Sequence, residues 1–159
     1  MAIKQIVQVP SEFLKQKSIE IGKMDAGIVQ LAKDLTDTMN KHRALGLSAV
    51  QIGVPMRMFA VSRDIGCPFS IFMNPVILMT SEETFMSEEG CLSIGNGIPK
   101  FKVRRAKKLV IQAVAVSKKN AFKVKLDIIA KAAVVFQHEF DHLEGKLLTD
   151  VGVPLLLSA

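Results

Sequence analysis

Apolar residues recur three and four apart through Ile28, Leu31, Leu35 and Met39, with Lys33, Asp34 and Asp37 on the opposite side. This spacing predicts an amphipathic helix packed on a core, with Asp25 as its N-cap. The chain before it, residues 1–23, reads as an arm broken at Pro10-Ser11, with weak alternation over Ser18 to Gly22. After the helix, Arg57 to Val61 and Ile71 to Met73 are short apolar runs of strand character, the second stopped by Asn74-Pro75. Six of the nine residues from Lys100 to Lys108 are basic, but Phe101 and Val103 alternate with the charges. That pattern predicts a strand with one wet face rather than a dedicated nucleic-acid patch. Leu109 to Val116 is a largely apolar strand, Lys118-Lys119-Asn120 its turn, and Phe122 to Leu126 the returning strand. The period then changes. Ile129, Ala133, Phe136 and Phe140 mark the buried side of a second helix, capped by Asp127, running to about Glu144 and stopped by Gly145.

Composition narrows the class. A chain of 159 residues suits one domain, spanning 1–159, and a hydrophobic content of 49 % excludes disorder. Apolar runs are far shorter than a membrane span, and Met1 to Gln5 has no secretory h-region, so a cytoplasmic protein without membrane contact is expected. The net charge of +6 favours acidic partners, RNA among them, without implying sequence-specific nucleic-acid binding. The two cysteines, Cys67 and Cys91, are expected to be reduced thiols.

The second helix carries the chemistry. Gln137-His138-Glu139-Phe140-Asp141-His142 contains His-Glu-x-x-His, which places His138 and His142 on one helix face where both reach one metal ion. Glu139 lies about 100° around the helix, beside such an ion without ligating it. A catalytic site commonly has three protein ligands and an open position. Downstream, Glu144 and Asp150 are the nearest candidates for the third. Upstream, Cys91 sits in a turn-rich loop, and a thiolate suits Fe(II) or Zn(II).

Three segments together resemble the signature motifs of the peptide deformylase family, in the family's order: Gly46-Leu47-Ser48-Ala49-Val50-Gln51, Glu89-Gly90-Cys91-Leu92-Ser93, and Gln137 to His142. The resemblance implies an α+β fold, with mostly antiparallel sheet packed around the central metal-binding helix. It implies a hydrolase that removes the formyl group from N-formylmethionine on nascent chains. Cys91, His138 and His142 would be the metal ligands, Fe(II) the usual ion in the cell, with Zn, Ni or Co able to replace it. Glu139 would act as general acid–base, and the Gln51 amide and Leu92 N–H would stabilise the oxyanion. Leu45, Gly46, Leu47 and Val134 are candidate walls of the methionine pocket, and Glu89 with Arg105 a pair bracing the cysteine loop. Formylmethionyl peptides would be the partners, with transient proximity to the ribosome.

The chain departs from the family at two motif positions. Ala44 stands where glycine is usual, which strains the loop if that position needs positive φ. Ser48 stands where alanine is usual. The segment from Val151 to Ala159 is too short for the long C-terminal helix of bacterial relatives. Two other readings use the same residues: a metallopeptidase built on the same helix, and a non-catalytic relative that binds formylated chains or RNA.

Overall fold

Asp25 begins the first helix as the pattern requires, its Oδ1 accepting the Ile28 N–H at 2.9 Å. The computed structural model of the chain describes residues 3–118 and 120–156, so Lys119 of the predicted turn lies outside them. The elements in chain order are α1 (Ala26–Lys41), β1 (Gly46–Ser48), β2 (Met58–Val61), β3 (Ile71–Thr80), β4 (Thr84–Glu89), β5 (Phe101–Ala106), β6 (Lys108–Ser117), β7 (Asn120–Ile129), α2 (Ala130–Leu143), α3 (Leu148–Val151) and β8 (Gly152–Pro154). A five-stranded sheet has the order β1-β2-β3-β6-β7 and a three-stranded sheet the order β4-β5-β8, with every pairing antiparallel.

The core forms on both faces of the larger sheet. Ile28, Leu31, Leu35 and Met39 of α1 pack with Leu47, Met58 and Ala60. Phe59, Val61, Phe72 and Ile111 pack on the other face with Ala133, Phe136 and Leu143 of α2. Strand β2 is therefore buried throughout, which is why it is apolar without alternation. Phe59, Phe72 and Phe136 meet with ring centroids 4.9–5.7 Å apart. Each such ring contributes roughly 1.5–3 kcal/mol by burial.

Four expectations need correction. The Ile71 strand does not stop at Asn74-Pro75 but continues to Thr80 through a register shift between Met73 and Val76. Asn74 takes the left-handed conformation (φ 47°) at this bulge, and its side chain bonds both the N–H and the C=O of Ile21, each at 2.9 Å. Asp34 is buried rather than on the wet side of α1, because Lys4 of the arm and Gln30 reach it. Asp127 does not cap α2: it belongs to β7 and pairs with Val110. The same ladder holds Ile129 opposite Lys108, leaving Ile129 59 % exposed instead of on the buried helix side.

The end of α2 follows expectation. Gly145 takes a left-handed φ of 74° just past the helix and donates to the His142 carbonyl. The basic stretch is a strand with a wet face, Phe101 and Val103 buried while Lys102 and Arg104 face out.

Candidate metal centre

Helix α2 lies between the two sheets, and one of its faces carries Val135, Glu139 and His142 inward with His138 beside them. Gln137, the first residue of the motif, docks the helix onto the smaller sheet. It accepts the Ala106 N–H and donates to the Ala106 carbonyl, both at 2.9 Å, as a neighbouring strand would. The other end is held by Arg57, which donates to the Leu143 carbonyl at 3.2 Å and to Glu144 Oε1 at 2.9 Å over the Phe140 ring. Sequence reasoning gave neither residue a role. Pinning through a backbone edge and a helix end leaves no periodic signal.

Cys91 lies just after β4, on the loop facing α2. Its Sγ is 3.4 Å from His142 Nε2, and one donor atom from each of Cys91, His138 and His142 falls within 4.8 Å of the others. The sequence-derived ligand candidates therefore converge. Glu144 and Asp150, the downstream alternatives, are engaged elsewhere: Glu144 with Arg57 and Lys17, Asp150 with the Leu147 N–H. Both cysteines are free thiols.

Around the three donors sits a polar frame. Glu89 Oε1 lies 2.9 Å from His138 Nδ1, and both Glu89 oxygens receive hydrogen bonds from Arg105 at 2.8 Å. Arg105 also donates to Asp141 at 2.7 Å. The expected Glu89–Arg105 pair is thus present but larger than a pair. It is buried and joins the cysteine loop to the helix. Burial alone would raise the Glu89 carboxyl, but Arg105 and His138 bring it down to about 2. Burial likewise opposes charge on His138, yet Cys91, Glu89 and Glu139 push it up to about 10. His142 goes well below its ordinary value through burial and the neighbouring His138 and Arg105 charges.

A half-buried imidazole, a buried one and a buried thiol with converging donor atoms suit a divalent ion. The Glu89 bond occupies His138 Nδ1 and leaves Nε2 for a ligand bond, the usual arrangement behind a metal-bound histidine. A thiolate with imidazoles matches Zn(II) or Fe(II).

Glu89, Cys91, His138 and Glu139 line a cleft of about 500 Å³ with Leu45, Gly46, Gln51, Leu92 and Val134. Leu47, expected on that wall, is instead fully buried in the core under α1. Gly46 makes close approach possible: a Cβ there would lie 2.6 Å from Glu139 Oε1. Gln51 Nε2 is 3.1 Å from Ser93 Oγ and 3.5 Å from Cys91 Sγ, while its Oε1 accepts the Ser48 N–H at 3.0 Å. Glu139 is buried, and its carboxylate receives a hydrogen bond from Ser48 Oγ at 2.7 Å. Ala44 carries no left-handed strain; the positive φ of that loop, 52°, falls on Arg43.

The polypeptide deformylase family model matches residues 3–155. The chain belongs to that family. Its deformylase relatives include one from Syntrophomonas wolfei, 35% identical over 96% of this chain and 95% of that one. Another, from Hamiltonella defensa, is 38% identical over 94% of this chain and 85% of its own length. Among solved structures, the Thermotoga maritima deformylase superposes with a TM-score of 0.86 at 28% identity, covering 95% of this chain and 98% of that one. The Legionella pneumophila deformylase gives 0.84 at 30% identity, covering 94% and 86%. Membership carries the activity: metal-dependent hydrolysis of the N-formyl group from nascent peptides. Among the described residues, no helix is long and apolar enough to cross a membrane.

Proposed function

We propose that Cys91, His138 and His142 hold one divalent ion, Fe(II) in the cell, and that Glu139 serves as general acid–base toward N-formylmethionyl peptides in the cytoplasm. The convergence of the three donor atoms within 4.8 Å carries this reading. When bound, a divalent ion there supplies Lewis acidity, which lowers the pKa of a water toward about 7 and polarises a carbonyl.

The chain's own residues do the rest. Glu139 accepts the proton of the attacking water and passes it to the leaving amine as the C–N bond breaks, giving formate and a free methionyl N-terminus. Burial pushes its carboxyl up, partly offset by His138 and Ser48, which suits a group that must hold a proton between two transfers. The Leu92 N–H and the Gln51 amide are the oxyanion donors. Both amide hydrogens of Gln51 have partners, Ser93 and Cys91, and the longer sulfur contact of 3.5 Å is the one to release for substrate. One such donor is worth on the order of 10²–10³ in rate. Leu45 and Val134 on the cleft wall receive the methionine side chain, beside Gly46. The chain acts as one catalytic domain.

The test is direct. The protein is purified without oxygen and loaded with Fe(II) or Ni(II). Formyl-Met-Ala is supplied and formate and free amine are measured. Glu139→Ala is expected to abolish turnover with metal content intact, and an acetylated peptide is expected to survive. Full activity in Glu139→Ala overturns the assignment of the base. Backbone cleavage of unformylated peptides overturns the substrate class.

A further inference from the structure

Glu139 is held from two sides. Ser48 Oγ donates to its Oε2 at 2.7 Å and lies 3.2 Å from its backbone carbonyl, with Ser48 fully buried and Glu139 2 % exposed. A hydroxyl has one proton, and the short contact to the charged oxygen is the stronger bond. On the other side, Oε1 faces Gly46 on the cleft wall, so closely that any Cβ there would collide with it. The same Ser48 places its backbone N–H on Gln51 Oε1 at 3.0 Å. One residue therefore orients both the carboxylate and the amide on that wall. Alanine, usual at this position in the family, keeps the backbone link and loses the hydroxyl link.

A terminal carboxylate torsion is broad and two-fold, so a glutamate needs an external partner to hold one oxygen toward the reacting atoms. We propose that Ser48 is a positioning residue for deformylation in this chain, its hydroxyl fixing Glu139 so that Oε1 stays on the cleft side against Gly46. This rests on the role given to Glu139 above. The Ser48 hydroxyl acts through Glu139, while the backbone N–H that holds Gln51 is unaffected by the side chain.

Ser48→Ala and Ser48→Thr are compared with the parent on formyl-Met-Ala, with metal content by elemental analysis and Tm measured alongside. Ser48→Ala is expected to lower kcat about tenfold, with KM and metal content unchanged and only a small fall in Tm from the unpaired Glu139 oxygen. Ser48→Thr keeps the hydroxyl and is expected to recover most of the loss. Because the threonine methyl has little room, a second arm uses Glu139→Asp, whose shorter side chain withdraws the carboxylate from Ser48. Ser48→Ala in that background is expected to cost nothing further, whereas a packing role makes the two losses multiply. Unchanged kcat in Ser48→Ala, a loss confined to KM or metal content, or equal losses in both backgrounds overturns the proposal. Wild-type turnover in Glu139→Gln would instead remove the role of Glu139, a separate outcome.

Discussion

Glu89 Oε1 and His138 Nδ1 lie 2.9 Å apart, so the strand that ends beside Cys91 also sets the ring of a histidine on α2. The contact fixes the tautomer with Nε2 toward Cys91 and His142. Removing such a partner typically costs 10- to 100-fold in metal affinity. Glu89→Gln is expected to lose metal to a chelator about tenfold more readily than the parent, and Glu89→Ala more readily still. Chelator competition followed by metal analysis measures this, and activity should return when the ion is resupplied.

Gly46 tests how tightly Glu139, the proposed base, is housed. Gly46→Ala pushes a methyl into Glu139 Oε1, where a Cβ would sit at 2.6 Å. Displacing a catalytic group by about 1 Å costs on the order of 10² in rate. A fall in kcat of that size is expected, with the metal retained. Steady-state kinetics beside elemental analysis checks it.

Arg57 is a stability residue rather than a chemical one. Its guanidinium bonds the Leu143 carbonyl and the Glu144 carboxylate and stacks on Phe140, and it is 7 % exposed. Arg57→Ala leaves a buried helix end unpaired and is expected to destabilise the fold by about 2–3 kcal/mol. Arg57→Lys, without the planar fork, should recover less than half. Urea unfolding measures both.

Acid should unfold the protein through the same ion pairs. Glu89 is held down to about 2 from an ordinary 4.5, and Glu144 is lowered too, where Arg57 and Lys17 outweigh the effect of burial. A lowered carboxyl contributes stability that is complete above its unfolded pKa and lost as pH falls through its folded one. Stability should therefore drop between about pH 4.5 and pH 2, with the slope flattened in Glu89→Gln. Glu139, raised by burial, acts in the opposite sense, and its protonation on acidification favours the fold. Urea midpoints across that range report the balance.

The mouth of the cleft is positively charged. Arg43, Lys100 and Lys131 line it, with Glu88 as the exposed carboxylate. A formyl-Met peptide with aspartate next is expected to show a KM two- to five-fold below its lysine counterpart, the size of an exposed ion pair. The gap should close at high salt, and Lys131→Glu should narrow it.

What could be read from the chain, and what could not, divides along physical lines. The α1 stripe, the wet-faced strand at Phe101 and the nearness of Cys91 to His138 and His142 were all legible, because each rests on local period or on motifs that the family resemblance linked. Asp127 was misread because a capping residue and a strand residue are locally indistinguishable; the ten-residue β6–β7 ladder decides it. Asn74-Pro75 looked like a stop because its bulge is held by Ile21, a partner 53 positions away. Asp34 looked solvated until the arm folded Lys4 over it. Ser48 registered only as an unusual letter, since its partner Glu139 lies 91 residues further along the chain.

Cys91 follows the end of a strand of the three-stranded sheet, while His138 and His142 ride on a helix that lies between that sheet and the five-stranded one. An ion held by all three would add one more tie to those of Gln137, Arg105 and Glu89, closing a loop of roughly 50 residues whose entropic cost grows only slowly with its length. Resistance to proteolysis is then expected to rise with metal loading, so that a protease assay reads the same occupancy that activity does.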